Sequence, residues 1–217
     1  MTVRQATKDD LEDLSTLFAR SFHPVSPYMR RTFPDTQTMR HWWKQVHKYA
    51  ILDPEVTLMV VLRNNAIIAM ARWRYYPRLP HEPLAVNAID ADADLTNPEG
   101  DLSAGTWTLL KSSPDTNTEM YKAMMVFMQE VHIKYMSGKP HYLIELLATA
   151  HEAQGTGAGR LLLEELAKRA DKQSVETIVE TNNLVVEFYE KLGYEIRERK
   201  MMPGDLDYEE FALIRAP

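Results

Sequence analysis

The first patterned stretch, "TVRQAT", alternates in polarity and gives way at Asp9-Asp10 to Leu11, Leu14, Leu17 and Phe18 at helical spacing. That pattern predicts a strand followed by a capped helix. A Pro-rich link, "HPVSPYMRRTFPDT", precedes a second helical pattern from about Thr36 to Ala50, built on Met39, Trp42, Trp43, Val46 and Tyr49 and closed by Asp53-Pro54. "VTLMVVL", the dipeptide Asn64-Asn65 and "AIIAMARWRYY" predict an antiparallel hairpin, because asparagine tolerates the positive φ of a tight turn. From Pro77 to about Gly105 the chain is rich in Pro, Asp and Asn without periodicity, which predicts a long loop with room for one short strand or helix.

"SPDTNTEMYKAMMVFMQEVHIKYMSGKP" predicts a long amphipathic helix that opens on a cap-like Ser-Pro-Asp. Met120, Met124, Phe127, Val131 and Tyr135 share one face of it, and Gly138 and Pro140 stop it. "HYLIELLATA" is a near-continuous apolar run, as expected of a central strand covered on both faces, and a helix from Gly157 to Asp171 follows. "ETIVE" predicts a strand, "NNLVVEFYEKL" a short helix closed by Gly193, and "YEIRERKM" and "YEEFALIR" two more strands about the Pro203-Gly204 turn. The order β-α-α-β-β-α-β-α-β-α-β-β predicts an α/β layer fold in one domain over residues 1–217, its sheet antiparallel early and partly parallel in the middle.

Composition narrows the partners. With 217 residues, 45% hydrophobic content and a net charge of −6, the chain can bury one core and has no general attraction for nucleic acid or an anionic membrane. Zero cysteines exclude disulfides and thiolate chemistry. The start lacks an apolar targeting segment, and no run approaches the roughly 20 apolar residues of a membrane span. The expectation is an intracellular protein, cytoplasmic or nuclear, as a monomer or homodimer. The seven histidines show no metal-ligand spacing, so no metal is expected.

"HEAQGTGAGRLLLEEL" places three glycines within five residues, Gly155, Gly157 and Gly159, between the apolar run and the next helix. Glycine lets the backbone approach a ligand, and a helix N-terminus offers unpaired N–H groups with partial positive charge. Gly155, Thr156, Gly157, Ala158 and Gly159 would donate to phosphate oxygens. The helix after them is well specified, with Leu162, Leu163, Leu166, Ala167 and Ala170 on its buried face and Glu164/Lys168 and Glu165/Arg169 at i,i+4 outside. A plain tight turn is the bland alternative. The Walker pattern fails because Gly159-Arg160-Leu161 stands where Gly-Lys-Ser/Thr is required. A dinucleotide fingerprint fails at Arg160, although Glu180 falls near the place of its ribose-binding acid, so a nucleotide-dependent oxidoreductase is a rival reading.

These residues resemble the GNAT superfamily of N-acetyltransferases, whose acetyl-coenzyme A turn reads Gln/Arg-x-x-Gly-x-Gly/Ala; here Gln154, Gly157 and Gly159. "NNLVVEFYEKLGYE" is similar to that family's later helix, ending in Tyr-x-x-x-Gly-Tyr/Phe. The strong likeness runs from about Tyr142 to Tyr194. It implies a GNAT-like three-layer fold, a mixed, mostly antiparallel central sheet flanked by helices, with splayed central strands that hold the cofactor's pantetheine. It also implies acetyl-coenzyme A as cosubstrate and the amine of a small molecule or protein as acceptor. Thr156, often basic in the family, and His151, often proline there, depart from the pattern, which shifts pyrophosphate binding toward the amides and Arg160.

By the same resemblance, main-chain amides of Leu147, Ala148 and Thr149 would hold the thioester carbonyl, Tyr189 would protonate the leaving thiolate, and Asn182, seven residues before it, would contact the cofactor. Tyr189 has a packing alternative beside Leu184, Val185, Phe188 and Leu192, and Asn182 or Asn183 a capping one. Alternation in the central strand puts His141, Leu143, Glu145, Leu147 and Thr149 on one face. Glu145 is the oddity, a general-base candidate or half of a structural ion pair, while His141 is expected to be exposed. Trp42, Trp43, Trp73, Tyr75 and Tyr76 could line an acceptor pocket, with Trp42 and Trp43 read first as core. Met120, Met124, Met125 and Met128 read as core filler and the acidic stretch Asp90, Asp92, Asp94, Glu99 and Asp101 as a solvated loop. A coenzyme-binding sensor without turnover is the non-enzymatic alternative.

Overall fold

In the computed structural model, residues 1–77, 86–89, 107–110, 112–204 and 206–217 are described; for 86–89 and 107–110 the backbone alone is described. The acidic stretch and most of the 77–105 loop lie outside them. The chain opens with β1 (Thr2–Gln5) and α1 (Leu11–Phe22), joined by a single 3-10 turn. Arg4 holds Asp10 with two bonds of 2.7 Å, and Asp10 also accepts the Thr7 amide at 2.7 Å, so the strand-to-helix turn is fixed by charge. α2 (Pro27–Thr32) interrupts the stretch read as a link: Ser26 accepts the Met29 amide and Pro27 fills the first turn, where its missing N–H costs nothing. α3 (Gln37–Leu52) starts on the Thr36 cap.

β2 (Val56–Arg63) and β3 (Ala66–Tyr76) form the expected hairpin, with Asn64 and Asn65 at φ 53° and 63°. β4 (Val86–Ile89) and β5 (Trp107–Leu110) pair in parallel in a small sheet of their own. α4 (Thr118–Met136) is capped by Asn117, whose side chain accepts the Met120 amide at 3.2 Å, rather than by the Ser-Pro-Asp three residues earlier. Then come β6 (His141–Thr149), α5 (Ala158–Gln173), β7 (Glu176–Asn182), α6 (Val186–Glu190), β8 (Glu195–Met201) and β9 (Glu209–Arg215).

The main sheet has seven strands in the order β1-β2-β3-β6-β7-β9-β8. Every pair in it is antiparallel except β6–β7, which lies near its centre. That exception positions the site. β6 and β7 pair only from His141/Glu176 to Ile144/Val179, although both strands run on. Beyond Ile144 they part, leaving the facing edges of Glu145–Thr149 and Glu180–Asn182 without each other's hydrogen bonds.

Leu162, Leu163 and Leu166 of α5 bury against Ile144, Trp73 and Val179 on one face of the sheet, at roughly 2 kcal/mol per side chain. On the other face, Phe18 of α1, Tyr28 of α2, Trp42 and Trp43 of α3 and Phe127 of α4 pack with Tyr208 and Ala212 of the β9 arm. The result is helix, sheet, helix, as the resemblance implies. The i,i+4 pairs expected on α5 are replaced by Lys168–Glu165 at 2.6 Å and Arg160–Glu164 at 2.8 Å, and Arg169 lies over the Trp73 ring. Exposed ion pairs differ by so little that any neighbour within reach competes.

A bulge overturns the simple alternation in β6. Arg72 of β3 pairs with Leu146 and the next residue, Trp73, with Ile144, so Glu145 is the extra residue. His141, Leu143 and Glu145 keep one face. Leu147 and Thr149 turn to the α5 side, where a Cβ built on Gly159 would stand 3.4 Å from Thr149 Oγ1 and 3.8 Å from a Leu147 methyl. His141 is fully buried rather than exposed, stacked on Tyr76 with centroids 5.1 Å apart.

Candidate functional site

The β6–α5 turn supplies a patch of bare backbone. Gly155 and Gly157 have φ of 74° and 89°, the left-handed region, and nothing lies within 4 Å of a Cβ built on either. Glycine is required there by dihedral rather than by space, and the space is left open. Gly157 caps α5, and no acceptor among the described residues takes the N–H groups of Gly155, Gly157, Ala158, Gly159 or Arg160. Thr156 is turned inward, its hydroxyl donating to Ala153 O at 2.7 Å. Gln154 donates to Ser21 O and Thr149 O, both at 3.2 Å, and the Thr149 amide donates to Ser21 Oγ at 3.0 Å. Ser21 of α1 therefore ties the turn to the opposite layer. No motif in the sequence singled it out. Arg160 is solvent-exposed and engaged with Glu164.

This turn is one end of a cavity of about 1240 Å³ that passes through the gap between β6 and β7. Gln154, Gly155, Gly157 to Arg160 and Phe188 line it on the α5 side; Trp42, Trp43 and Glu210 line it on the other. Leu147, Thr149, Asn182 and Tyr189 border the passage. The residues Glu145, Leu147, Thr149, Gln154, Gly155, Gly157, Ala158, Gly159, Arg160, Asn182 and Tyr189 thus share one cavity, while the exposed Thr156 and the buried Ala148 are not among its lining. Asn182 does not cap α6. Its side chain accepts the Leu184 amide at 2.9 Å and donates to the Tyr208 hydroxyl at 3.3 Å, whereas Val185 occupies the cap position.

The electrostatics of the cavity divide its carboxylates. Burial raises the affinity of Glu145 for its proton, but Arg72, 2.7 Å away, and Arg74, 3.1 Å away, outweigh that and hold its carboxyl below the usual range. Arg74 also binds Asp53 at 2.7 Å, so Glu145 belongs to an ion network and stays charged at neutral pH. Glu180 and Glu210 behave oppositely. Burial, then the neighbouring Glu210, pushes Glu180 up to about 8; burial pushes Glu210 up to about 8 against a hydrogen bond from Tyr208. Tyr189 is raised well above its ordinary value by burial, then by Tyr194 and Glu180, and is a neutral phenol capable of donating a proton.

His132 and His141 form a separate buried pair behind this wall, with their Nε2 atoms 2.6 Å apart. His141 Nδ1 lies 2.9 Å from Lys139 O, which requires N–H there, so His132 Nε2 donates to His141 Nε2. Burial lowers them to about 3 and about 4 respectively, and both are neutral. Trp42 and Trp43 are buried as expected of core, and both also face the cavity. Among the described residues no group of acidic or histidine side chains has the arrangement of a metal site, and no helix is long and apolar enough to cross a membrane.

Residues 115–202, from just before α4 to just after β8, match the family model described as an acetyltransferase (GNAT) domain. A search of curated proteins found no match. Solved structures share the fold across the whole chain. A mutant agmatine N-acetyltransferase in its apo form is similar with a TM-score of 0.62 at 13% identity, covering 100% of this chain and 99% of that one. A histone acetyltransferase HPA2 and related acetyltransferase from Corynebacterium glutamicum gives 0.57 at 18% identity, covering 100% and 96%. The PaiA N-acetyltransferase from Thermoplasma acidophilum, in complex with coenzyme A, gives 0.53 at 12% identity, covering 100% and 98%.

Proposed function

We propose that this chain, whose residues 115–202 carry the GNAT acetyltransferase domain on a GNAT fold, is an acetyl-coenzyme A-dependent N-acetyltransferase acting as one domain over residues 1–217. The single observation that carries the reading is the cavity through the β6–β7 gap, with five unsatisfied amides at one end and carboxylates at the other. The neighbour crystallised with coenzyme A supports an acyl-coenzyme A in such a cavity. The two neighbours named as acting on agmatine or histone support an amine as acceptor in general.

In this reading the pyrophosphate sits on the amides of Gly155 and Gly157 to Arg160, because unpaired N–H groups at a helix start are the best-placed neutral donors for an anion. Gln154 and Thr156 brace the turn through their bonds to Ser21 O, Thr149 O and Ala153 O. Pantetheine lies along the unpaired edge of β6, where amides of Leu147 to Thr149 meet the thioester, and Asn182 faces it from β7. The acceptor nitrogen, once neutral, attacks the carbonyl carbon; the C–N bond forms, the C–S bond breaks, Tyr189 donates its proton to the departing sulfur, and the proton shed by the acylated nitrogen restores the Tyr189 phenol. Glu145 is the proposed proton acceptor for the ammonium. Its arginine partners keep it ionised at neutral pH and make it a weak base.

A thiol-release assay with acetyl-coenzyme A across amines, amino acids, polyamines and basic peptides tests the reading. Release with at least one amine, lost in Tyr189→Phe, supports it. Cofactor binding without release from any acceptor would favour a sensor, and stabilisation by NAD(P) but not coenzyme A an oxidoreductase.

A further inference from the structure

The β7–β9 side of the cavity holds a pair of carboxylates to which the proposed chemistry assigns no step. In the antiparallel register of β7 and β9, Glu180 faces Ala212 and Asn182 faces Glu210. Glu180 and Glu210 are therefore diagonal neighbours on one face, with backbones on the order of 7 Å apart, within reach of glutamate side chains. Both line the cavity. Glu210 is 5% exposed. Both carboxyl oxygens of Glu180 are buried and have no hydrogen-bond partner among the described residues. Such a group is costly to bury unless something comes to meet it. Arg72 and Arg74, the cations lining the same cavity on this side, are committed to Glu145 and Asp53. Tyr208 faces Glu210 from β9's own arm, stacked on Tyr28 of α2 at 4.1 Å, and Tyr189 faces Glu180 from α6.

Besides these charged groups the cavity carries a broad apolar wall. Phe22, Phe33, Trp43, Tyr121, Met124 and Met128 line it, drawn from α1, α3, α4 and the segment between α2 and α3. Met124 and Met128 both line the cavity and stay partly accessible, and Met124 packs against a cluster of buried aromatics, so these flexible side chains front a space rather than fill one.

Resting on the function proposed above, we infer that the acceptor is a primary amine carrying a bulky apolar body, its ammonium received by Glu180 and Glu210 and its body by the aromatic and methionine wall. Two adjacent buried carboxylates without a cation hold at most part of their charge, so they share protons in the empty cavity. An ammonium that arrives there supplies the missing cation and displaces a proton to solvent. A polyamine or an arginine-like acceptor would have to bury a second charge against Trp43 and Met128, at a cost the pair cannot offset. Apolar contact discriminates by one to two orders of magnitude per group, and a stranded charge by more.

The test uses phenethylamine and hexylamine against spermidine, agmatine and lysine, with acetyl-coenzyme A as donor. The apolar amines should exceed the polycations in kcat/KM by about 100-fold or more. Their KM should fall as pH rises toward 8, and Glu180→Gln or Glu210→Gln should raise it about tenfold with unchanged affinity for acetyl-coenzyme A. In parallel, millimolar phenethylamine should raise the melting temperature of the protein without any coenzyme, and Glu180→Gln should remove that rise. This arm stands even if no acyl donor binds, in which case the transferase reading fails and the amine site does not. Preference for spermidine or agmatine overturns the inference. So does an unchanged KM in both glutamine variants, or a gain from octanoyl-coenzyme A over acetyl-coenzyme A with no gain from apolar amines, which would give the apolar wall to the acyl chain.

Discussion

The two ends of the cavity are built in opposite ways. At the glycine turn the working groups are the main-chain N–H donors of Gly155 and Gly157 to Arg160, from one short stretch of chain, and the glycine side chains matter because they are missing. At the carboxylate end the facing groups are side chains from β3, β6, β7 and β9 that lie up to 138 residues apart in sequence, from Arg72 to Glu210. A site made of contiguous backbone tolerates only glycine at its key positions. A site made of side chains is set by sheet register, so one bulge at Glu145 decides which residues share a wall.

The sharpest way to break this comparison is Gly157→Glu. It forces a non-glycine residue to φ 89° and places a negative charge in front of the open amides. Acetyl-coenzyme A affinity measured by calorimetry should fall by at least about 100-fold, roughly 2.7 kcal/mol, while circular dichroism stays native. Next comes Tyr189→Phe, which keeps the buried ring and removes the hydroxyl. Thiol release should slow about 10²-fold with little change in coenzyme affinity, and an unchanged rate would return Tyr189 to a packing role.

The carboxylate end should instead announce itself through pH. The folded pKa of Glu180 and Glu210 is raised to about 8, so the native state binds more protons than the unfolded chain between about 4.5 and 8. Their contribution to stability is greatest at the acid end of that window and is lost as pH rises through it. Glu180→Gln should flatten this slope and raise the melting temperature at pH 8.5 by a few degrees in the ligand-free protein. The smallest effect belongs to the frame. Asp10, held by Arg4 down to about 2, contributes stability that is present above its unfolded value near 4 and lost as pH falls through about 2. Asp10→Asn should cost about 1 kcal/mol at neutral pH and nothing measurable near pH 2.

The contrast also explains what could be read in advance. The glycine turn and the helix after it were legible because their signal is local: three glycines, a leucine stripe and an apolar run lie within one stretch of chain. The seven-stranded order could not be read from periodicity, but the alternation of types could. α2 escaped because a six-residue helix carries little periodicity, although Ser26-Pro27 is a fair start signal. The bulge at Glu145 leaves no mark in an apolar run, so Leu147 and Thr149 were set on the wrong face. The burial of His141 has no local signal, because its partner, His132, comes from another element. Glu210 went unremarked, yet alternation through Tyr208, Glu210, Ala212 and Ile214 sets it among buried neighbours and could have flagged it.

A crystal structure of the protein with coenzyme A tests the central claim most directly. Pyrophosphate oxygens should lie about 3 Å from the amides of Gly157 and Gly159, and the pantetheine arm between β6 and β7 with its sulfur near Tyr189. Coenzyme A bound elsewhere, or a gap between the two strands left empty at saturating ligand, would contradict it.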